Sequence, residues 1–228
     1  MSEGQQSVWT IDQLKAVDTP TLANAIETLH LRPNTEGFAP VELRCLFPEL
    51  GRLCGYAVTA QVESMTPASP KEEKAFIDLF QAVSESPKPA IVAFQEIGGH
   101  ADFATHCGEV MATFFARFGA AGLITDCAVR DLEQMRALRF QCFARGAVGS
   151  HSNFRVARVG VPVQVLGLAI RSGDLLHGDE NGLIEIPRES LARLPQAVDS
   201  VKAREKALME SALSPGFTPQ QLRGRFFE

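Results

Sequence analysis

Residues 109–129, EVMATFFARFGAAGLITDCAV, are the most apolar window of the chain, and the way that window is interrupted constrains the fold more than any other stretch. Arg117 and the glycines at 119 and 122 divide it, leaving no run near the roughly 20 apolar residues a bilayer-spanning helix needs. It reads as core rather than membrane span, and its two halves have different periods. From His106 onward Val110, Met111, Phe114, Phe115 and Phe118 recur at helical spacing with Gly119 as a stop, whereas GLITD is a short apolar strand. A helix turning tightly into a strand predicts an α/β arrangement.

The flanking segments extend the pattern. Thr10 with Gln13 forms a capping-box sequence, and Pro20 sits in the first turn of TPTLANAIETLH. GYAVTAQVES and PAIVAFQEIGG read as strands, with a helix inside MTPASPKEEKAFIDLFQAVSESPKP between them. DLEQMRALR reads as a short helix, FQCFARG as a strand, VPVQVLGLAI as one longer strand, and SGDLLHGDENGLIEIP as a hairpin around Asn181-Gly182. An amphipathic helix is expected from about Pro195 to Leu213. Helices and strands alternate in the middle and strands cluster later, so the sheet is expected to be mixed. At 228 residues without internal repeats, one core serving a single domain is expected.

Charge and cysteine usage narrow the function classes. The net charge is −5 and the 22 basic residues are scattered, which argues against a surface that tracks nucleic-acid phosphates and against a polybasic membrane anchor. Cys45, Cys54, Cys107, Cys127 and Cys142 form no C-x-x-C pair, and no secretory apolar segment is visible near the start. Reduced thiols in a cytoplasmic protein are the expectation. Cys107 and Cys127 have no base at a motif spacing beyond the adjacent His106, so a nucleophilic cysteine is not favoured.

Chemistry concentrates at both ends of the helix–strand unit. If Glu109 starts the helix and Arg130-Asp131 end the strand, these charges share one edge with the free N–H groups of the first helical turn, Gly108 to Met111. Such N–H groups favour a carboxylate ligand, an arginine adds a bidentate grip, and an aspartate offers a hard oxygen to a divalent ion. The set suits a metal-bound 2-oxo acid. Structural roles explain the same residues equally well at this point. Asp131 opens D-L-E-Q, a capping-box pattern, Glu109 suits a helix dipole, and Arg130 can pair with a neighbouring aspartate.

The pair GE at 108–109, followed by RD at 130–131 within GLITDCAVRD, resembles the class II pyruvate aldolases of the 4-hydroxy-4-methyl-2-oxoglutarate/4-carboxy-4-hydroxy-2-oxoadipate type. These share a family with the regulator of ribonuclease activity A. TPTLANAIE, GYAVTAQV, AIVAFQEIGG and VPVQVLGLAIRSGDLLHGDENGLIEIP extend the similarity over most of the chain. The resemblance implies that Asp131 holds a divalent cation, Mg²⁺ or Mn²⁺, directly or through water. It implies that Arg130 contacts the keto acid, that the backbone of Gly108, Glu109, Val110 and Met111 cradles its carboxylate, and that Glu109 orients a metal-bound water. Cys127 stands where the family usually has glycine, and Asn24 where many members have aspartate.

By the same resemblance the fold is a three-layer β/β/α domain of the swivelling type with N- and C-terminal helices. The assembly is a homotrimer or homohexamer, with an acidic residue of the C-terminal helix, Glu205 or Glu210, completing a neighbour's site. The implied reaction cleaves a 4-hydroxy-2-oxo acid to pyruvate and a second keto compound, with oxaloacetate decarboxylation as a side activity. A Schiff-base route would need a lysine in an apolar site, and Lys15, Lys71, Lys74, Lys88, Lys202 and Lys206 all lie in polar segments. The rival reading is a non-catalytic regulator that docks on a ribonuclease. An acid at 109 and the long C-terminal helix favour the enzyme.

Overall fold

A computed structural model describes residues 8–64, 73–150 and 152–223. Its helices are α1 (Ile11–Lys15), α2 (Thr19–Thr28), α3 (Glu73–Glu85), α4 (Glu109–Arg117), α5 (Leu132–Ala137) and α6 (Leu194–Ala212). The first strands are β1 (Arg44–Cys45), β2 (Leu53–Ser64), β3 (Ala90–Glu96), β4 (Thr105–Cys107), β5 (Ala120–Thr125), β6 (Ala128–Val129), β7 (Gln141–Ala144) and β8 (Gly146–Ala147). They are followed by β9 (Phe154–Val159), β10 (Val163–Val165), β11 (Leu168–Ile170), β12 (Leu175–Asp179) and β13 (Gly182–Ile186).

Side-chain alternation along the central strands produces the layers. Val58, Ala60 and Val62 of β2, with Val92 and Phe94 of β3, face a helix layer that contributes Leu79 and Val83 of α3 and Ala112 and Phe115 of α4. The intervening Ala57, Ile91 and Ala93 face Val163, Val165, Leu168 and Ile170 of the β10–β11 hairpin. This period-2 exchange is what a strand buried on both faces requires. The sheet is mixed, in the order β1-β7-β5-β3-β2-β12-β13 with β9 also on β2. The α/β class and the hairpin/sheet/helix layering agree with expectation. A third cluster packs α1, α2 and α6 against β12 and β13 through Leu22, Ile26, Ile184, Val198 and Val201.

Two differences from the sequence reading have local causes. VPVQVLGLAI is a hairpin and not one strand, because Leu166 and Gly167 both take positive φ (49° and 93°) and reverse the chain. GLITDCAV is also interrupted, since β5 ends at Thr125 and the chain restarts as β6 in a separate three-stranded sheet, β4-β6-β8. His106, expected near the start of the helix, lies in β4. The capping box of Thr10 and Gln13 is present. The lysines expected on polar segments are exposed, except Lys71, which lies outside the described residues.

Candidate active site

The β4–β6 pairing builds the site. These strands run parallel with Cys107 opposite Val129, and the Arg130 N–H donates to the Cys107 carbonyl at 3.0 Å. Gly108 and Arg130-Asp131 thus leave adjacent strand ends side by side, and α4 begins there. The tight turn from helix to strand does not by itself bring them together; the small sheet enforces the juxtaposition.

At this edge Asp131 is held in the left-handed region (φ 56°, ψ 44°) and precedes α5, yet its side chain makes no cap bond to that helix. Its Oδ2 instead accepts the Glu109 N–H at 3.0 Å, capping α4 across the gap. Arg130 Nε lies 3.5 Å from the same oxygen. Gly108 is the residue this approach requires, because a Cβ there would sit 2.4 Å from Asp131 Oδ2. Oδ1 makes no hydrogen bond with a described residue, so a hard oxygen remains available.

A cavity of about 270 Å³ opens over this edge, walled by Phe76, Val110, Met111 and Phe154, with Arg130 and Asp131 at its polar side. Asp131 is the one carboxylate lining it among the described residues. Of the backbone groups expected to cradle a ligand carboxylate, the Glu109 N–H is committed to Asp131, leaving those of Val110 and Met111 in the unpaired first turn. The Glu109 side chain is exposed and does not line the cavity. The structure therefore joins Gly108, Val110, Met111, Arg130 and Asp131, and leaves the Glu109 carboxylate outside the group. Glu205 accepts a hydrogen bond from Asn24 Nδ2 at 3.1 Å and Glu210 pairs with Lys206, both away from the cavity.

Beneath the cavity lies a buried polar cluster that the sequence reading missed, because its members come from segments distant in the chain. His106 Nε2 is 2.9 Å from Glu96 Oε2 and 3.2 Å from Ser64 Oγ, and its Nδ1 is 2.7 Å from Thr125 Oγ1. Burial opposes ionisation of Glu96, but hydrogen bonds from His106, Ser64 and Gly98 outweigh it and hold the pKa at about 2. Asp126 accepts the Glu96 N–H through both oxygens, yet burial raises its pKa to about 6. Burial, with the Asp126 and Glu96 carboxylates adding to it, drives the Cys127 thiol well above its ordinary range. Burial does the same at Cys107, helped by Asp131. Neither is an activated nucleophile.

Comparison with known proteins shows the family and the fold. The profile of the RraA-like family, described as Aldolase/RraA, matches residues 15–184. A Thermus thermophilus protein named 4-hydroxy-4-methyl-2-oxoglutarate aldolase is 31% identical over 110 residues, 48% of this chain and 66% of its own length. A Halalkalibacterium halodurans protein provisionally given the same name is 32% identical over 114 residues, 47% of this chain and 53% of its own. The matched segments thus span less than two thirds of either relative. Streptomyces coelicolor RraAS2, a solved structure described as an unusual member of the RNase ES inhibitor RraA family, superposes with a TM-score of 0.63 at 21% identity, covering 90% of this chain and 96% of that one. At that identity the likeness speaks for the fold.

Proposed function

Because this chain belongs to the RraA-like family of Aldolase/RraA proteins, we propose that it is a divalent-metal-dependent lyase that cleaves a 4-hydroxy-2-oxo acid to pyruvate and a second keto compound. The observation that carries the reading is the Asp131 carboxylate, fixed through Oδ2 by the Glu109 N–H and set beside Arg130 at a cavity of small-molecule size. Asp131 makes no cap bond to its own helix, and its cap of α4 uses Oδ2 alone, which leaves Oδ1 for a ligand.

The donor set fits Mg²⁺ or Mn²⁺. Asp131 is the one carboxylate among the described residues that line the cavity; His106 also lines it but both its ring nitrogens are hydrogen-bonded, and burial holds the neighbouring Cys107 as a thiol, so water and substrate oxygens would complete the sphere. When bound, the ion supplies Lewis-acid polarisation of the keto group, which stabilises the negative charge released as the C3–C4 bond breaks.

The chain's own residues do the rest. The N–H groups of Val110 and Met111 and the Arg130 guanidinium hold the substrate carboxylate. A water from the open side of the cavity takes the proton of the 4-hydroxyl, with the exposed Glu109 carboxylate acting on that water from outside the lining; C4 then becomes a carbonyl, and the C3–C4 electron pair is protonated at C3 to give pyruvate. Phe76, Phe154 and Met111 exclude bulk water from the apolar wall. Oxaloacetate decarboxylation would share this charge-stabilising arrangement. The assembly we propose is a homotrimer or homohexamer, supported by the exposed apolar side chains of Val110 at the cavity and of Phe103 and Phe114.

Pyruvate release measured over a panel of 4-hydroxy-2-oxo acids and oxaloacetate, with and without chelator, tests the proposal. Release should stop in chelator and return with Mg²⁺ or Mn²⁺. Activity undiminished in chelator sinks the metal-dependent reading. No release from any substrate leaves the non-catalytic regulator, whose support is the fold shared with RraAS2.

A further inference from the structure

We propose that Glu96, His106 and Cys127 form a second, buried site for a borderline-soft divalent cation of the Zn²⁺ class, chemically distinct from the Asp131 carboxylate. Three segments converge on it: the end of β3, the middle of β4, and the bend between β5 and β6. Their donor atoms, Glu96 Oε2, His106 Nε2 and Cys127 Sγ, all lie within 4.8 Å of one another. The Nε2–Oε2 separation is 2.9 Å and the Sγ–Oε2 separation 4.0 Å. Donors about 2.0–2.3 Å from a tetrahedral zinc are roughly 3.3–3.7 Å apart, so small side-chain adjustments bring the triad into range.

The surrounding bonds orient each donor toward the common centre. Glu96 Oε1 accepts the N–H groups of Ser64 (3.1 Å) and Gly98 (2.6 Å), which leaves Oε2 facing inward. His106 Nδ1 is anchored on Thr125 Oγ1, which also accepts the Cys127 N–H at 3.1 Å. Such anchoring of a histidine's outer nitrogen and a carboxylate's outer oxygen is how metal sites are preorganised. Ser64 Oγ, 3.2 Å from Nε2, stands at a fourth position.

Charge and softness point to the class of ion. A carboxylate, a thiolate and a neutral imidazole cancel a divalent charge, as a site this buried requires. Binding displaces the Cys127 thiol proton to solvent, and no redox partner is needed. Sulfur and nitrogen donors select zinc-like ions over Mg²⁺ or Mn²⁺. A thiol gains little from a nest of two carboxylates and an imidazole unless it ligates. The inference stands independently of the aldolase reading.

The test is metal analysis and zinc-edge X-ray absorption on the full chain, produced in zinc-supplied medium and also refolded with excess zinc. About one zinc per chain is expected, with a single sulfur at about 2.3 Å in the first shell. Cys127→Gly should lose the zinc and Asp131→Asn should keep it. If Cys127→Gly fails to fold, the absorption spectrum of the unaltered protein still decides. Substoichiometric zinc after refolding, a shell of only nitrogen and oxygen, or zinc retained by folded Cys127→Gly would each overturn the site and leave a buried ion-pair network.

Discussion

Asp131 has two duties that one substitution can separate. Its Oδ2 caps α4 through the Glu109 N–H, a bond asparagine can also accept, so Asp131→Asn should change thermal stability by only a few tenths of a kcal/mol. The same change removes the charge offered to a hard cation, and kcat/KM for pyruvate release should fall by about a hundredfold or more, near 2.7 kcal/mol. Equal losses of activity and stability would return the residue to a structural role. Gly108→Ala probes the neighbouring contact: a Cβ placed 2.4 Å from Asp131 Oδ2 must displace that carboxylate or Arg130. The expected result is a tenfold to hundredfold loss in kcat/KM with an unchanged circular dichroism spectrum. The residue types at this edge were legible in the sequence, but cap and ligand were not separable there. D-L-E-Q looks alike whether the aspartate bonds its own helix or another, and only the parallel β4–β6 pairing reveals which.

Among the elements, β12 carries a pH-sensitive link to α2. His177 is fully buried, its Nδ1 lies 3.0 Å from Thr19 Oγ1, and Asp179 Oδ2 accepts the Thr19 N–H at 2.8 Å, tying the first turn of α2 to the strand. Burial lowers the His177 pKa to about 4 from 6.5. The folded state therefore binds fewer protons than the unfolded state between these values. The contribution is complete above the unfolded pKa and is lost as pH falls through the folded one. On the order of 3 kcal/mol should disappear from the urea-unfolding free energy across this window, and His177→Gln should abolish that component. Identical pH profiles for the two proteins would remove His177 as its source. Long periodic elements such as α3, α6, β2 and β3 could be read from side-chain spacing. The two-residue β6 and β8 could not, since a strand that short has no period and exists only through its partners.

For the whole molecule, the question is whether the cavity works alone. Val110, which lines the cavity, is 65% exposed, Phe103 is 68% exposed, and the Glu109 carboxylate does not line the cavity. Light scattering should therefore report a trimer or hexamer, and Val110→Asp should lower the assembly state together with activity. A fully active monomer would contradict shared sites and free Glu205 and Glu210 of catalytic duty. No helix among the described residues is long and apolar enough to cross a membrane, consistent with reading the 109–129 window as core. By itself the sequence determined the α/β class, the apolar strands of the core and the residue types at the active-site edge, because these follow from local periodicity and the chemistry of neighbouring residues. Tertiary structure decided what Asp131 bonds, that Glu109 offers its backbone and not its carboxylate to the edge, and that Glu96, His106 and Cys127 meet. Those outcomes depend on strand pairing between segments far apart in the chain, and no local pattern encodes which strand ends come to lie together.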